Sequence, residues 1–240
     1  MNTPPIVSRQ EWETAHQQML AKEKAFFRAK DELAADRRRM PWLAVDEPYA
    51  FVGPEGEVGL LDLFAGRRQL IVYRAFFEPG VAGWPHKGCV GCSFMADHVP
   101  HLAHLNARDT TLVFASRASQ EAIAELKARM GWDIPWYTIT DGFDRDFGVD
   151  EWHGHNAFIR EGDRVLRTYL TKSRGDEQFA QTWAYLDMTA LGRQEDWEDS
   201  PAGYPQTEPY DWWRRHDEYG EPQSQEHRDQ MDRALSSGRQ

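Results

Sequence analysis

Both cysteines of this 240-residue chain lie in one motif, Cys89-Val-Gly-Cys92. The motif follows an apolar run, residues 70–77, which predicts a buried strand, and it precedes a segment, 93–97, that can form a helix. A C-x-x-C motif between a strand and a helix is typical of a dithiol/disulfide couple. Its position restricts the fold to an α/β arrangement in which a strand leads into the cysteine loop and a helix leaves it.

Composition narrows the function further. A length of 240 residues suffices for one large domain with extensions, and the net charge of −11 argues against nucleic-acid binding and against an anionic membrane surface. No apolar run has the length of a membrane span, and residues 1–8 lack the pattern of a signal peptide. We therefore expect a cytoplasmic protein, and close cysteines in that reducing compartment are typically catalytic or metal-binding.

The N-terminal part, residues 1–45, is expected to form a helical arm. Residues 8–38 read as one long amphipathic helix, because Ser8 and Glu11 have the spacing of a capping box. An apolar stripe recurs every seven residues and comprises Trp12, Met19, Phe26 and Leu33. Such a stripe packs on the body of its own chain or on a second copy, so a homodimer through this helix is one expectation.

Residues 46–191 are expected to form an α/β domain, a mixed sheet with helices on both faces. Residues 192–240 read as an irregular, aromatic-rich C-terminal extension that wraps the body and is disordered from about residue 221. The pattern predicts a hairpin at 49–58, strands at 70–76, 111–115, 136–140, 157–160 and 165–169, and helices at 92–106, 119–131 and 176–188. Ser119 can cap the second of these helices.

A helix N-terminus stabilises a thiolate, the form of cysteine that attacks disulfides. In a C-x-x-C motif the first cysteine is usually the more exposed, so we assign Cys89 as the attacking thiol and Cys92 as the resolving thiol. The resulting hypothesis is a thiol–disulfide oxidoreductase that needs no cofactor. Its partner would be a disulfide of a protein or of a small molecule.

Four nearby residues are candidates for supporting this chemistry, and three of them also have a simpler interpretation. His86 adds polarisable character before the motif, and Arg74 would place a charge under the site or pair with a surface carboxylate. Asp97 would relay a proton to the resolving thiol or form a helix salt bridge. Trp84 would cover the thiols or simply pack.

A metal site is the strongest alternative. His86, Cys89, Cys92 and His98 could supply four ligands of the kind that zinc prefers. The protein would then be a non-enzymatic binding protein that holds a metal or a partner at the cysteine loop. Against this, the chain has no second C-x-x-C, and four ligands within thirteen residues would be cramped.

Two further observations bear on these alternatives. The thiols could be inert, but the flanking Gly88 and Gly91 permit close approach of another chain, which a purely packed position would not need. His153 and His155 alternate on an extended segment, which predicts that they point to opposite faces and cannot easily share one metal.

Several motifs along the chain resemble the DUF899 family, bacterial thioredoxin-like proteins of unassigned function. The matching residues are Glu11-Trp12, 22–24, 37–42, 68–73, 88–94 with Asp97, 130–132, 135–136, 146–149 and 213–219. The resemblance covers about residues 9–220. It implies a thioredoxin-like domain extended at both ends.

The resemblance implies no substrate. Thioredoxins place a cis-proline opposite the C-x-x-C, and here that point falls at His155-Asn156, with no proline. His155 is also a candidate supporting residue. The missing proline weakens the expectation of general disulfide reduction and modestly strengthens the metal alternative.

Overall fold

A computed structural model describes residues 2–150, 153–220, 225 and 228–229. The helices are α1 Arg9–Arg39, α2 Val90–Asp97, α3 Ala103–Asn106, α4 Gln120–Met130, α5 Phe143–Asp146 and α6 Gln181–Asp187. The strands are β1 Leu43–Val45, β2 Ala50–Gly53, β3 Gly56–Gly59, β4 Gln69–Arg74, β5 Thr110–Ser116, β6 Trp136–Ile139, β7 Gly154–Glu161 and β8 Arg164–Lys172. None of the helices in this part of the chain is long and apolar enough to cross a membrane.

The strands form one mixed sheet in the order β1-β8-β7-β4-β5-β6-β2-β3. Strands β4, β5 and β6 are parallel, and β7 and β8 form an antiparallel hairpin beside β4. The chain runs from β4 through α2 to β5, then through α4, and reaches the β7–β8 hairpin and α6. This order of strands and helices is the thioredoxin-like arrangement, so the expected fold class is confirmed.

Hydrophobic residues cover both faces of the sheet, and β4 contributes to each because its side chains alternate. Leu70 and Val72 belong to the core on one face, with Phe143 and Phe158. Tyr73 belongs to the core on the other face, together with α2, α4 and both cysteines. The dithiol therefore lies on the Tyr73 side of the central strand.

Two of the predicted helices differ from those in the structure. The helix expected at 92–106 is two helices, because α2 ends at Asp97 shortly before Pro100, which lacks the N–H that a continuing helix needs. The helix expected at 176–188 is a 3₁₀ turn over Ser173–Phe179 followed by α6. Helix α4 is confirmed with its predicted cap, since the Ser119 side chain accepts a hydrogen bond from the Ala122 N–H at 3.3 Å.

The predicted N-terminal helix is confirmed as α1, and Ser8 and Glu11 form the capping box. The packing of its apolar stripe on the body is not found, because no residue of α1 is buried. The C-terminal end of α1 does contact the body: the Arg37 guanidinium donates to Gln178 Oε1 at 3.3 Å and lies 4.7 Å from the Tyr169 ring centre.

The C-terminal extension is tied together by an acidic anchor, Glu195, and packs on α2 of the body. Glu195 is fully buried and accepts hydrogen bonds from the indole N–H groups of Trp197 and Trp212, at 2.6 and 2.8 Å, and from the Tyr210 backbone at 2.9 Å. The ring of Trp213 stacks on Phe94 of α2 at 5.3 Å. We expected disorder from about residue 221. Of residues 221–240 the structure describes only 225, 228 and 229, so this expectation lies outside the described residues.

Candidate active site

Cys89 is the residue that caps the N-terminus of α2. Its backbone N–H donates to the Phe76 carbonyl at 3.1 Å, which joins the start of the helix to the segment that follows β4. Its carbonyl accepts from the backbone N–H and the hydroxyl of Ser93, both at 3.0 Å. These bonds fix Cys89 at the positive end of the helix, where a thiolate is favoured.

Cys92 lies in the first turn of α2, with its sulfur turned back toward the sheet. The backbone N–H of Phe76 donates to its Sγ at 3.1 Å. Both cysteines are free thiols, and the side chains are almost equally buried, since Cys89 is 3% exposed and Cys92 is 4% exposed. The expectation that Cys89 is the more exposed thiol is therefore wrong.

The two thiols have very different acidities. A hydrogen bond from the Cys92 thiol lowers the pKa of Cys89 to about 6, against the effect of burial, and the charge of His153 and the Gly91 backbone N–H also lower it. Burial and the neighbouring Cys89 charge raise the pKa of Cys92 well above its ordinary value. The thiolate form is therefore favoured at Cys89, and the proton is favoured at Cys92.

Tyr73 of β4 is a site residue that sequence reasoning missed. It is fully buried, and its hydroxyl finds no nitrogen or oxygen partner among the described residues. Burial, followed by the interaction with Cys92, raises the pKa of Tyr73, and the same interaction lowers the pKa of Cys92. The phenol therefore lies beside the resolving sulfur, where it can donate a hydrogen bond to a Cys92 thiolate.

Two histidines share one buried carboxylate beside Tyr73. Asp176 Oδ2 lies 2.8 Å from His153 Nδ1, and Oδ1 lies 2.9 Å from His155 Nδ1. Burial tends to raise the pKa of Asp176, but the two hydrogen bonds hold it below the ordinary value. His155 pairs with Tyr73 across β4 and β7, with ring centres 4.5 Å apart.

The prediction that the two histidines point to opposite faces is wrong. β7 begins at Gly154, so His153 precedes the strand and does not follow its alternation. Both rings therefore reach the same carboxylate. The arrangement fixes the ring orientations and places the His153 charge where it favours the Cys89 thiolate.

Arg74 does not lie under the dithiol. It follows Tyr73 on β4 and so points to the opposite face of the sheet, where it is fully buried. Its guanidinium binds Glu78 at 2.6 Å and Asp144 at 3.2 Å. The alternative expectation of a carboxylate partner agrees with the structure, although Glu78 is only partly exposed and the Asp144 side chain is wholly buried.

The other predicted supporting residues lie at the edge of the site or away from it. Trp84 packs against Phe77 with ring centres 5.0 Å apart, in agreement with its packing interpretation. His86 is largely exposed and lies 3.5 Å from Glu125, so it does not contribute to a buried site. Asp97 accepts from the Trp132 indole N–H at 2.7 Å, at the C-terminal end of α2.

The four proposed zinc ligands are not brought together. His98 Nδ1 lies 2.6 Å from the Phe94 carbonyl and Nε2 lies 2.6 Å from the Thr182 hydroxyl, so both of its nitrogens are occupied away from the thiols. Among the described residues, no group of three or more His, Cys, Asp or Glu side chains is placed to hold a metal ion. The metal-ligand set proposed from spacing is therefore wrong.

Part of the C-terminal extension packs over the cysteine loop, and we call residues 210–219 the covering segment. The Trp213 ring lies so close to Gly91 that a Cβ at that position would come within 2.8 Å of it. Arg215 is buried and donates to the Gly88 carbonyl. Gly91 thus allows a close approach by another part of the same chain, whereas a Cβ at Gly88 would meet Phe77 and Leu126 of the body.

Ion pairs hold the covering segment in place. The Glu218 carboxylate binds Lys87 at 2.6 Å, Arg129 at 2.9 Å and Arg215 at 2.7 Å. These cations overcome the effect of burial and lower the pKa of Glu218 to about 2. His216 adds a contact to Asp97 at 2.7 Å, which replaces the helix salt bridge expected for that carboxylate.

Comparison with family models places the chain among known bacterial proteins. Residues 1–219 match the model described as "Bacterial protein of unknown function (DUF899)". Because the match spans most of the chain, the protein belongs to the DUF899 family, as its motifs indicated. No curated protein matches the chain.

Solved structures with related folds include several redox proteins. A thiol:disulfide interchange protein from Bacteroides sp. is 11% identical, with 62% of this chain and 91% of that chain covered and a TM-score of 0.40. A thioredoxin family protein from Chlorobium tepidum is 14% identical, with 59% and 94% covered and a TM-score of 0.35. Peroxiredoxin Q from Xanthomonas campestris is 13% identical, with 58% and 89% covered and a TM-score of 0.36. Similarity at this level assigns no activity to the chain.

Proposed function

We propose that this protein is a thiol–disulfide oxidoreductase in which Cys89 attacks and Cys92 resolves. The proposal rests on one observation, which is that the two buried thiols differ in position and in pKa. Cys89 caps α2 with a lowered pKa, whereas Cys92 lies beside Tyr73 with a raised pKa. A pair of purely structural thiols has no need for such asymmetry, which is typical of functional sites.

In the first step the Cys89 thiolate attacks one sulfur of a substrate disulfide. A bond forms between Cys89 Sγ and that sulfur, the substrate disulfide bond breaks, and the other half leaves as a thiolate that takes a proton from water. The low pKa of Cys89 keeps it in the attacking form at neutral pH. The product is a mixed disulfide on Cys89.

In the second step Cys92 gives its proton to water and attacks Cys89 Sγ. The mixed disulfide breaks, the second half of the substrate leaves as a thiolate, and an intramolecular disulfide forms. Two electrons have then passed from the dithiol to the substrate. The Tyr73 hydroxyl stabilises the Cys92 thiolate that forms in this step, because it lies beside that sulfur and has no other partner among the described residues.

The substrate is a disulfide of a protein or of a small molecule, and a thiol reductant must return the enzyme to its dithiol form. We place the reaction in the cytoplasm, where such reductants are abundant. No cofactor takes part in either step. The histidines and Asp176 act by position and charge, since His153 favours the Cys89 thiolate and Asp176 orients its ring.

Mass spectrometry of trapped intermediates tests the proposal. Reduced Cys92→Ser protein mixed with a small aromatic disulfide should retain half of the reagent on Cys89, whereas the wild type should release both halves and form an internal disulfide. Cys89→Ser is the matched control and should form no adduct at Cys92 under the same conditions. If Cys89→Ser consumed the disulfide at the wild-type rate, Cys89 would not be the nucleophile. A wild type that forms no internal disulfide would instead favour a binding role for the loop.

A further inference from the structure

Helix α1 exposes a stripe of large apolar side chains. Trp12 is 58% exposed, Met19 51%, Phe26 65% and Leu33 51%, and Phe27 next to the stripe is 59% exposed. No residue of the 31-residue helix is buried. Single exposed apolar residues are common, but a row of this length marks an interaction surface.

The area of the stripe suits a dimer interface. Large apolar side chains bury about 150–250 Å² each when fully covered, so five that are half to two-thirds exposed offer roughly 500 Å² per chain. Two copies would bury about 1,000 Å² from these side chains alone, which reaches the size at which specific interfaces begin. The residues that border the stripe would add to this area.

The spacing of the stripe makes it complementary to itself. Trp12, Met19, Phe26 and Leu33 are separated by seven residues, the repeat that keeps one seam facing a partner helix. If two copies lie antiparallel about an axis between residues 22 and 23, Trp12 meets Leu33 of the other copy and Met19 meets Phe26. Each contact then occurs twice, as a two-fold interface requires.

Charges favour the antiparallel orientation. Lys22 and Asp36 each lie three residues after a stripe residue, so a parallel pair in register would set Lys22 against Lys22 and Asp36 against Asp36. In the antiparallel pair Lys22 meets Glu23, and Asp36 meets Arg9, whose side chain is 92% exposed. Opposite charges thus replace like charges. The two helix dipoles also run in opposite directions, which favours the antiparallel pair.

We propose that α1 is a homodimerisation arm that pairs antiparallel with α1 of a second copy through Trp12, Met19, Phe26 and Leu33. The proposal is independent of the thiol chemistry. The partner is a second copy of this chain because the stripe, its spacing and its bordering charges match themselves. The exposed row is then the inner face of a two-helix interface.

Analytical ultracentrifugation of the full chain tests the dimer. At micromolar concentration the wild type should sediment with the mass of two chains, and Phe26→Glu should sediment near 27.8 kDa. Gln17→Glu changes the charge equally on the opposite side of α1, so it should remain dimeric. Circular dichroism and the thermal transition of the body check that each variant is folded. A monomeric wild type would overturn the proposal. One way for this to occur is that residues 221–240 of the same chain cover the stripe in place of a second copy. A dimer that survives Phe26→Glu would overturn it as well.

Disulfide cross-linking tests the orientation. In a Cys89→Ser/Cys92→Ser background, Met19→Cys mixed with Phe26→Cys should give a cross-linked heterodimer. Met19→Cys alone should not cross-link, because in the antiparallel pair the two copies of this residue are about 10 Å apart along the axis, beyond disulfide reach. Efficient cross-linking of Met19→Cys to itself would refute the antiparallel arrangement.

Discussion

The acidity of Cys89 should depend on one neighbour, the Cys92 thiol. The hydrogen bond from Cys92 is the largest cause that lowers the pKa of Cys89 to about 6, while burial opposes it. Cys92→Ala removes that donor and leaves the cap position of Cys89 and the His153 charge in place. We therefore expect the pKa of Cys89 to rise from about 6 toward the ordinary value of about 8.5.

The magnitude determines which assay can detect the change. At pH 7 a rise to about 8.5 reduces the thiolate fraction about 30-fold. A thiolate of higher pKa is intrinsically more nucleophilic, and a Brønsted coefficient of about 0.4–0.5 raises its reactivity about tenfold. The two effects nearly cancel, and the alkylation rate at pH 7 changes only about threefold. The titration midpoint, and not a rate at one pH, is the informative measurement.

The titration midpoint of Cys89 is measured by the ultraviolet absorbance of its thiolate as the pH of reduced protein is varied. This method does not require that a reagent reach the buried sulfur. Cys89→Ser provides the baseline. Cys92→Ser is the matched control, because its hydroxyl still donates a hydrogen bond, and its midpoint should stay near that of the wild type. Equal midpoints for Cys92→Ala and Cys92→Ser would refute the assigned role of the hydrogen bond.

Three further changes test other parts of the site. Tyr73→Phe removes the donor beside Cys92 and should slow release of a trapped mixed disulfide about tenfold. Such a decrease corresponds to the loss of one hydrogen bond worth about 1.4 kcal/mol. An unchanged release rate in stopped-flow measurements would contradict this role. Trp213→Ala should speed alkylation of the dithiol at least tenfold, whereas Trp197→Ala, which alters the anchor region and not the cover over Gly91, should have a much smaller effect. Glu218→Gln should lower the free energy of unfolding by about 2 kcal/mol, between the values of exposed and buried ion pairs. Because the pKa of Glu218 is lowered to about 2, its contribution is complete above about pH 4.5 and is lost as the pH falls toward 2. The difference between Glu218→Gln and wild type in urea unfolding should therefore shrink over that range, and a constant difference would contradict the assignment.

Local patterns predicted most of the fold. The capping box at Ser8 and the cap at Ser119 placed two helix starts at the residues where the structure has them. All strands except β1 were predicted within a few residues because their apolar runs are short and bounded by turn residues. β1, over Leu43–Val45, was missed because residues 1–45 were expected to form only the helical arm. The errors occur where local patterns compete, as at Pro100, which divides one expected helix in two.

The site was harder to predict because its residues come from distant parts of the chain. Arg74 was singled out for its charge, yet Tyr73 is the residue of β4 that faces the dithiol, and alternation alone does not say which face α2 covers. Asp176 follows His155 by 21 residues and lies in a 3₁₀ turn that no sequence motif predicts. Trp213 lies far along the chain, and only tertiary packing brings its ring over Gly91.

Reactivity and access are controlled by different parts of this protein. Cys89 carries a low pKa, but with 3% exposure it cannot meet a disulfide until the covering segment moves. The contacts of that segment with Lys87 and Arg129 run through two carboxylates, Glu218 and Asp217, and ion pairs near a surface weaken as salt screens them. Raising the ionic strength from about 0.01 M to about 1 M shortens the screening length from about 30 Å to about 3 Å. The reaction of wild-type Cys89 with an uncharged disulfide should therefore accelerate with salt, and Glu218→Gln should be faster at low salt and less dependent on it. A wild-type rate that did not change with salt would mean that packing of Trp213, and not these ion pairs, keeps the dithiol covered.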